Sequence, residues 1–136
     1  MQQYASEFAR VMDAEGIKYT VRDERVINIS YSGTNLPSIS IFAFFDKDGE
    51  PYVQFYSADI LSFKGADLNK AYQVCNALNA DYRWVKFYVD NDSDICATLD
   101  ATLDLVSSGE ECVELLGRIV SIIDEAYPQI AKARWA

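Results

Sequence analysis

Hydrophobic and polar positions change their period several times along the chain. In residues 2–16, Tyr4, Phe8, Val11 and Met12 recur on one helical face with Ala5 and Ala9 beside them. Gly16 follows as a C-terminal stop, so this segment predicts a helix. The period then drops to two. Ile17, Tyr19 and Val21 alternate with Lys18, Thr20 and Arg22; Ile27, Ile29 and Tyr31 alternate with Asn28, Ser30 and Ser32. Ile39, Ile41, Ala43 and Phe45 form a third alternating set. Asp46-Lys47-Asp48-Gly49-Glu50 reads as a hairpin turn, because Asp-Gly tolerates positive φ, and a fourth strand returns over about 51–58.

Helical spacing comes back over about 67–81, where Leu68, Ala71, Tyr72, Cys75, Leu78 and Asn79 share a face. A fifth strand follows at 83–90, with Val85, Phe87 and Val89 on one side, and Asp90-Asn91-Asp92-Ser93-Asp94 is the next turn. Residues 95–104 fit either a four-residue helical spacing, through Leu99 and Leu103, or strict alternation. Their threonines and the preceding turn favour a strand. Ser108-Gly109-Glu110-Glu111 matches a capping box that opens a last helix. Its apolar face runs through Cys112, Leu116, Ile119, Val120, Ile123, Tyr127 and Ile130, and Pro128 is expected to end or kink it near Tyr127. The order α-β-β-β-β-α-β-β-α predicts an α+β fold, an antiparallel sheet with helices packed on it. No linker or long repeat divides the 136 residues, so one domain over 1–136 is expected.

Charge and composition narrow the function classes. The net charge of −9 and pI of about 4.3 disfavour phosphate backbones and anionic membrane surfaces; they suit solubility or a basic partner. Three widely spaced cysteines with no Cys-x-x-Cys argue against a disulfide framework. With no signal-peptide pattern at the start and no apolar run near the ~18 residues of a spanning helix, a cytoplasmic location is expected.

The chain contains no histidine. That removes Ser-His-Asp and Cys-His arrangements and histidine metal sites. Phosphate-loop and dinucleotide-binding glycine patterns are absent as well. No catalytic residue, cofactor or metal is expected. The two acidic tracts fail as calcium loops, since Gly49 comes too early in one and Ile95 and Ala101 stand where the other needs Gly and Glu. Both fit turns. Cys75 and Cys112 fall on apolar helix faces as small hydrophobes, whereas Cys96 shares the polar side of its strand with Thr98 and Asp100 and is the least explained.

Several local patterns together resemble a known family. A helix closes on Val74-Cys75-Asn76-Ala77-Leu78-Asn79, and the strand Lys86-Phe87-Tyr88-Val89-Asp90 follows. An acidic turn leads into Asp-Ile-Cys-Ala-Thr-Leu-Asp (94–100), and a long helix reaches Ala126-Tyr127-Pro128. Gly16-Ile17-Lys18-Tyr19 and the strands after it match more loosely. This arrangement resembles the YbjN family, whose fold is similar to that of type III secretion chaperones. The resemblance implies a bacterial α+β domain, often a homodimer, that acts by binding another protein rather than by catalysis.

If Ile41, Phe55, Val85 and Phe87 face the helices, the opposite positions include Phe42, Phe44, Tyr52, Tyr56, Trp84 and Tyr88. Six aromatics on a side that should be wet point either to a partner-binding face or to an element, such as the last helix or a long loop, that covers them. A second, weaker candidate is the polar stripe Thr98, Asp100, Thr102 and Asp104, which could bind a small molecule or cation. A solvated strand face is its plainer reading.

Overall fold

The computed structural model describes all residues, 1–136. Helix α1 (Gln3–Glu15) precedes four strands: β1 (Thr20–Asp23), β2 (Val26–Tyr31), β3 (Ile39–Phe45) and β4 (Tyr52–Ser62). A short 3-10 turn (Gly65–Asp67) enters α2 (Leu68–Asp81). Strands β5 (Lys86–Val89) and β6 (Asp94–Thr102) and the long helix α3 (Ser108–Trp135) complete the chain. The strands form one six-stranded sheet in the order β1-β2-β3-β4-β6-β5, and every neighbouring pair is antiparallel.

Local chemistry explains the boundaries. The Gln2 side chain accepts hydrogen bonds from the N–H groups of Tyr4 and Ala5 (2.6 and 3.0 Å), filling the N-cap of α1. Gly16 ends that helix at φ 72°, a left-handed cap that needs no Cβ. Both acidic tracts are turns. One oxygen of Asp46 accepts the N–H groups of Asp48 and Glu50, and one oxygen of Asp90 accepts those of Asp92 and Asp94.

Outside the irregular stretch of β4 that contains Ile60, the strand residues buried in the main core share one side of the sheet: Ile27, Ile29, Ile39, Ile41, Ala43, Phe45, Val53, Phe55, Phe87, Ile95, Ala97 and Leu99. The helices lie on this side. Phe8 of α1 packs against Phe45 and edge-on against Phe55, with ring centroids 6.0 and 5.9 Å apart. Leu78 of α2 and Leu116, Ile119 and Ile123 of α3 are fully buried in the same cluster. Asn79 at the end of α2 exchanges two hydrogen bonds with the backbone of Phe87, donating to its carbonyl and accepting its N–H, and so fixes α2 to β5. Helix α1 crosses the start of α3 at Gly109, where a Cβ would come within 2.6 Å of the Glu7 carbonyl oxygen and of Val11.

Four local expectations are corrected. Strand β5 begins only at Lys86, because Trp84 adopts φ 74° and breaks the extended run. Tyr72 is exposed, and Val74 takes the buried position on α2. The helix α3 cap is Ser107, whose hydroxyl hydrogen-bonds Glu111; Ser108 is already helical and buried. Pro128 does not end α3, which continues to Trp135 with Ile130 buried beyond it. Proline leaves the carbonyl four residues back, that of Asp124, without its helical partner. Here Asn35 Nδ2 donates to that carbonyl at 3.1 Å. The Asp124 carboxylate also accepts N–H groups from Thr34, Asn35 and Leu36, binding the β2–β3 loop to the helix at the point where proline would weaken it.

Candidate functional site

The side of the sheet away from the helices carries a continuous cross-strand row. Thr20, Asn28, Phe42, Tyr56, Thr98 and Lys86 stand opposite one another across all six strands. A second row runs Val26, Phe44, Gln54, Asp100. The rings on this face meet along a strand and diagonally between neighbouring strands. Phe42 and Phe44 stack at 6.1 Å, and Phe44 tilts against Tyr56 at 6.3 Å. All three are half-buried. Tyr52 stands at one end of the face, 50% exposed; Tyr88, on the edge strand beside Cys96, is 37% exposed. No helix covers this face.

Trp84 does not join the other five rings. Its left-handed backbone turns the indole toward α3, where the Arg118 guanidinium lies 4.7 Å from the ring centre. The sheet therefore brings Phe42, Phe44 and Tyr56 into one cluster, sets Tyr52 and Tyr88 at its margins, and places Trp84 elsewhere.

The polar stripe is likewise divided. Asp100 and Thr102 are exposed, and Asp100 accepts a hydrogen bond from Gln54 Nε2 at 2.9 Å. Asp104 lies past the strand, where its carboxylate accepts the N–H of Val106 and stabilises the turn into α3. Thr98 is buried between Tyr56 and Lys86, and its hydroxyl has no hydrogen-bond partner. Cys96, expected on a wet face, is fully buried. The reason is its neighbours. Small residues on β6 are shaded by Tyr88 on one side and by an irregular stretch of β4 between Ser57 and Leu61 on the other.

Burial pushes the Cys96 thiol above its ordinary pKa; the thiol donates to the Tyr88 carbonyl at 3.5 Å, and its closeness pushes the Tyr88 phenol up to about 12. Asp59 projects from the irregular stretch at φ 53°. The neighbouring Asp94 carboxylate favours the protonated form of Asp59 and raises its pKa, and the carboxylates of Asp59, Asp90 and Asp94 offer ligand atoms within 4.8 Å of one another. These three acids could ligate a hard cation. Sequence reading found two of them in a turn; the third came into view only through the β4 irregularity.

At the other end of the face is a hollow of about 700 Å3 lined by Phe44, Tyr52, Gln54 and Asp100, with Arg25 and Lys47 at its rim. The sequence placed Lys47 only within a turn and assigned Arg25 no role. Arg25 precedes β2 and Lys47 sits in the β3–β4 turn, 22 residues apart, so only the pairing of β2 with β3 brings them together.

A family model matches residues 5–132: YbjN, "Putative bacterial sensory transduction regulator". The chain belongs to the YbjN family. Its fold is similar to the crystal structure of YbjN from E. coli, described as "a putative transcription regulator", with a TM-score of 0.63 and 12% identity over 92% of each chain. It is also similar to a chain of the heterodimeric ExoU-SpcU complex from the type III secretion system of Pseudomonas aeruginosa, with a TM-score of 0.54 and 14% identity over 95% of each chain. No curated protein shows significant similarity to it. At these identities the neighbours establish the architecture, which is the α+β, type III secretion chaperone-like fold in a YbjN chain. No helix of this YbjN chain is long and apolar enough to cross a membrane.

Proposed function

We propose that the chain is a non-catalytic, chaperone-like regulatory module that holds an apolar segment of another polypeptide on the open face of its sheet. Phe42, Phe44 and Tyr56 are the binding surface, with Tyr52 and Tyr88 as its margins. The observation that carries the reading is the stacked ring cluster on a face that no helix covers. Rings buried on only one side retain surface to desolvate. Each further ~100 Å2 covered by a partner contributes about 2.5 kcal/mol before association costs are subtracted. Tyrosine and phenylalanine also suit binding surfaces, combining area with few rotatable bonds. Family membership supports a regulatory role, and a structural neighbour drawn from a two-protein complex supports protein binding. In this reading the 1–136 domain works in the bacterial cytoplasm as a homodimer.

Site-specific photo-crosslinking in cells tests the proposal. A benzophenone side chain placed at Tyr56 should capture another polypeptide, whereas the same probe at Tyr72, exposed on α2, should not. Equal capture from both positions, or none from Tyr56, would remove the open face as the binding surface. Light scattering gives the mass: a monomer across the micromolar range would discard the homodimer.

A further inference from the structure

The hollow at the Tyr52 end is lined by two cations, Arg25 and Lys47, and two carboxylates, Asp46 and Asp100, in a chain whose net charge is −9. The chain has 21 acidic and 12 basic residues, yet Arg25 and Lys47 take part in none of its ion pairs, which use Arg10, Lys70, Arg118 and Arg134. One Arg25 guanidinium nitrogen donates to the Phe45 carbonyl at 3.3 Å, which steers the group toward the hollow and leaves its other donors free. Asp46, beside Lys47, also lines the hollow but forms no ion pair with that lysine. One oxygen of the Asp46 carboxylate accepts the turn N–H groups of Asp48 and Glu50. Glu24 and Asp48 border the adjoining hollow on the far side of the two cations, and neither comes within ion-pair distance of them.

The remaining walls supply complementary chemistry. Phe44 and Tyr52 offer ring surface. Opposite the cations, Asp100 has one oxygen engaged by Gln54 and the other free, so this side accepts hydrogen bonds from an N–H or O–H. A volume of about 700 Å3 suits a small molecule.

We infer that this hollow binds a small, flat, ring-bearing anion: its carboxylate or phosphate between Arg25 and Lys47, its ring on Phe44 and Tyr52, and a ring N–H or hydroxyl donating to Asp100. Two cations free of ion pairs at one hollow favour such a ligand on a molecule whose net charge disfavours anions. Arginine can grip either anion with two parallel hydrogen bonds. The site does not depend on the protein-binding role of the central rings.

The test is titration of the full chain, followed by backbone amide NMR, with two anions, indole-3-acetate and adenosine 5′-monophosphate, and their neutral counterparts, indole and adenosine. At least one anion should bind about tenfold more tightly than its neutral counterpart, shifting amides at 25, 44, 47, 52 and 100. The comparison between the two anions tells carboxylate from phosphate. The double variant Arg25→Gln/Lys47→Gln should weaken binding about tenfold or more, and Lys47→Gln alone, on an exposed turn, about threefold. Lys18→Gln/Lys132→Gln removes the same charge elsewhere and should leave binding unchanged. The inference is overturned if neither anion binds, if the neutral molecules bind equally well, or if the Lys18/Lys132 control weakens binding as much as the Arg25/Lys47 variant. Capture of a polypeptide from Tyr56 is scored separately, so either proposal can fail alone.

Discussion

Pro128 sits in the interior of a 28-residue helix, and the account given for its tolerance can be measured. Proline in a helix interior costs about 3 kcal/mol relative to alanine, part of which is the lost hydrogen bond and part the clash with the carbonyl four residues back. The carbonyl concerned is that of Asp124, and Asn35 Nδ2 supplies a substitute donor at 3.1 Å. An exposed neutral hydrogen bond of this kind is worth about 0.5–1 kcal/mol. Three consequences follow for a cycle built from Asn35→Ala and Pro128→Ala. Pro128→Ala should stabilise the fold by about 1–3 kcal/mol, the range reflecting how far the helix has already relaxed around the ring. Asn35→Ala in the natural background should cost about 0.5–1 kcal/mol, since it leaves the carbonyl with water alone. In the Pro128→Ala background the restored N–H takes the carbonyl, and Asn35→Ala should cost close to nothing. The coupling energy should therefore be about 0.5–1 kcal/mol, measured by urea unfolding with equal slopes in all four proteins. A coupling energy of zero would refute the compensation, because Asn35 would then be working independently of the proline. A destabilising Pro128→Ala would refute the premise that the ring strains this helix.

The two glycines of α3 should respond to alanine with opposite signs. Gly117→Ala meets nothing within 4 Å and should stabilise by about 0.5–1 kcal/mol, whereas Gly109→Ala drives a methyl into the Glu7 carbonyl and should destabilise by about 1–3 kcal/mol, both read by thermal or urea unfolding. All three thiols are buried, with Cys75 pushed up to about 11 and Cys112 to about 12, so a thiol reagent near neutral pH should label none of them rapidly until the chain is unfolded. Rapid labelling of native Cys96 would mean that the shading by Tyr88 and β4 is wrong. The Asp124 carboxyl is held below its ordinary pKa by the N–H groups of Leu36, Asn35 and Thr34. Its contribution is therefore present above the unfolded carboxylate value, near pH ~4, and lost as pH falls through the lower folded value. Asp124→Asn should be less stable than the natural protein at pH 7, and the gap should close in acid; a gap that stays constant with pH would contradict this linkage.

The sequence disclosed the fold because its signals were local and mutually consistent. Core positions recur at every second residue in 27–31, 39–45 and 95–103, and each run is bounded by a turn whose aspartate hydrogen-bonds nearby backbone. Periodicity also separated the two sides of β3 and β4 correctly, so that Phe42, Phe44 and Tyr56 emerge together opposite Phe45 and Phe55. It failed where a single backbone angle overrides the period. Trp84 has the parity of the open face, yet φ 74° sends its ring to α3; nothing in Arg83-Trp84-Val85 signals that conformation. Pro128 is a failure of a different kind. The local rule was sound, and the compensation came from Asn35, 93 positions earlier.

The same distinction separates the two candidate surfaces. A ring cluster spread over adjacent strands is visible as alternation, because one face of a strand is written at every second residue. A pocket rim is not. Arg25 and Lys47 come from two connecting segments, and their lack of acidic partners is a property of the assembled surface in a chain rich in acids. Charge counts averaged over the molecule pointed only to solubility or a basic partner, and they hid a corner where two cations without ion pairs meet. The two proposed sites lie on one sheet face and are separable by their chemistry. The stacked rings would take apolar segments whatever their charge, and the corner beside them would admit only ligands that the rest of the surface repels. Since charge-assisted contacts weaken with salt far more than ring burial does, raising ionic strength should uncouple the two, loosening the anion while leaving a polypeptide held on the rings in place.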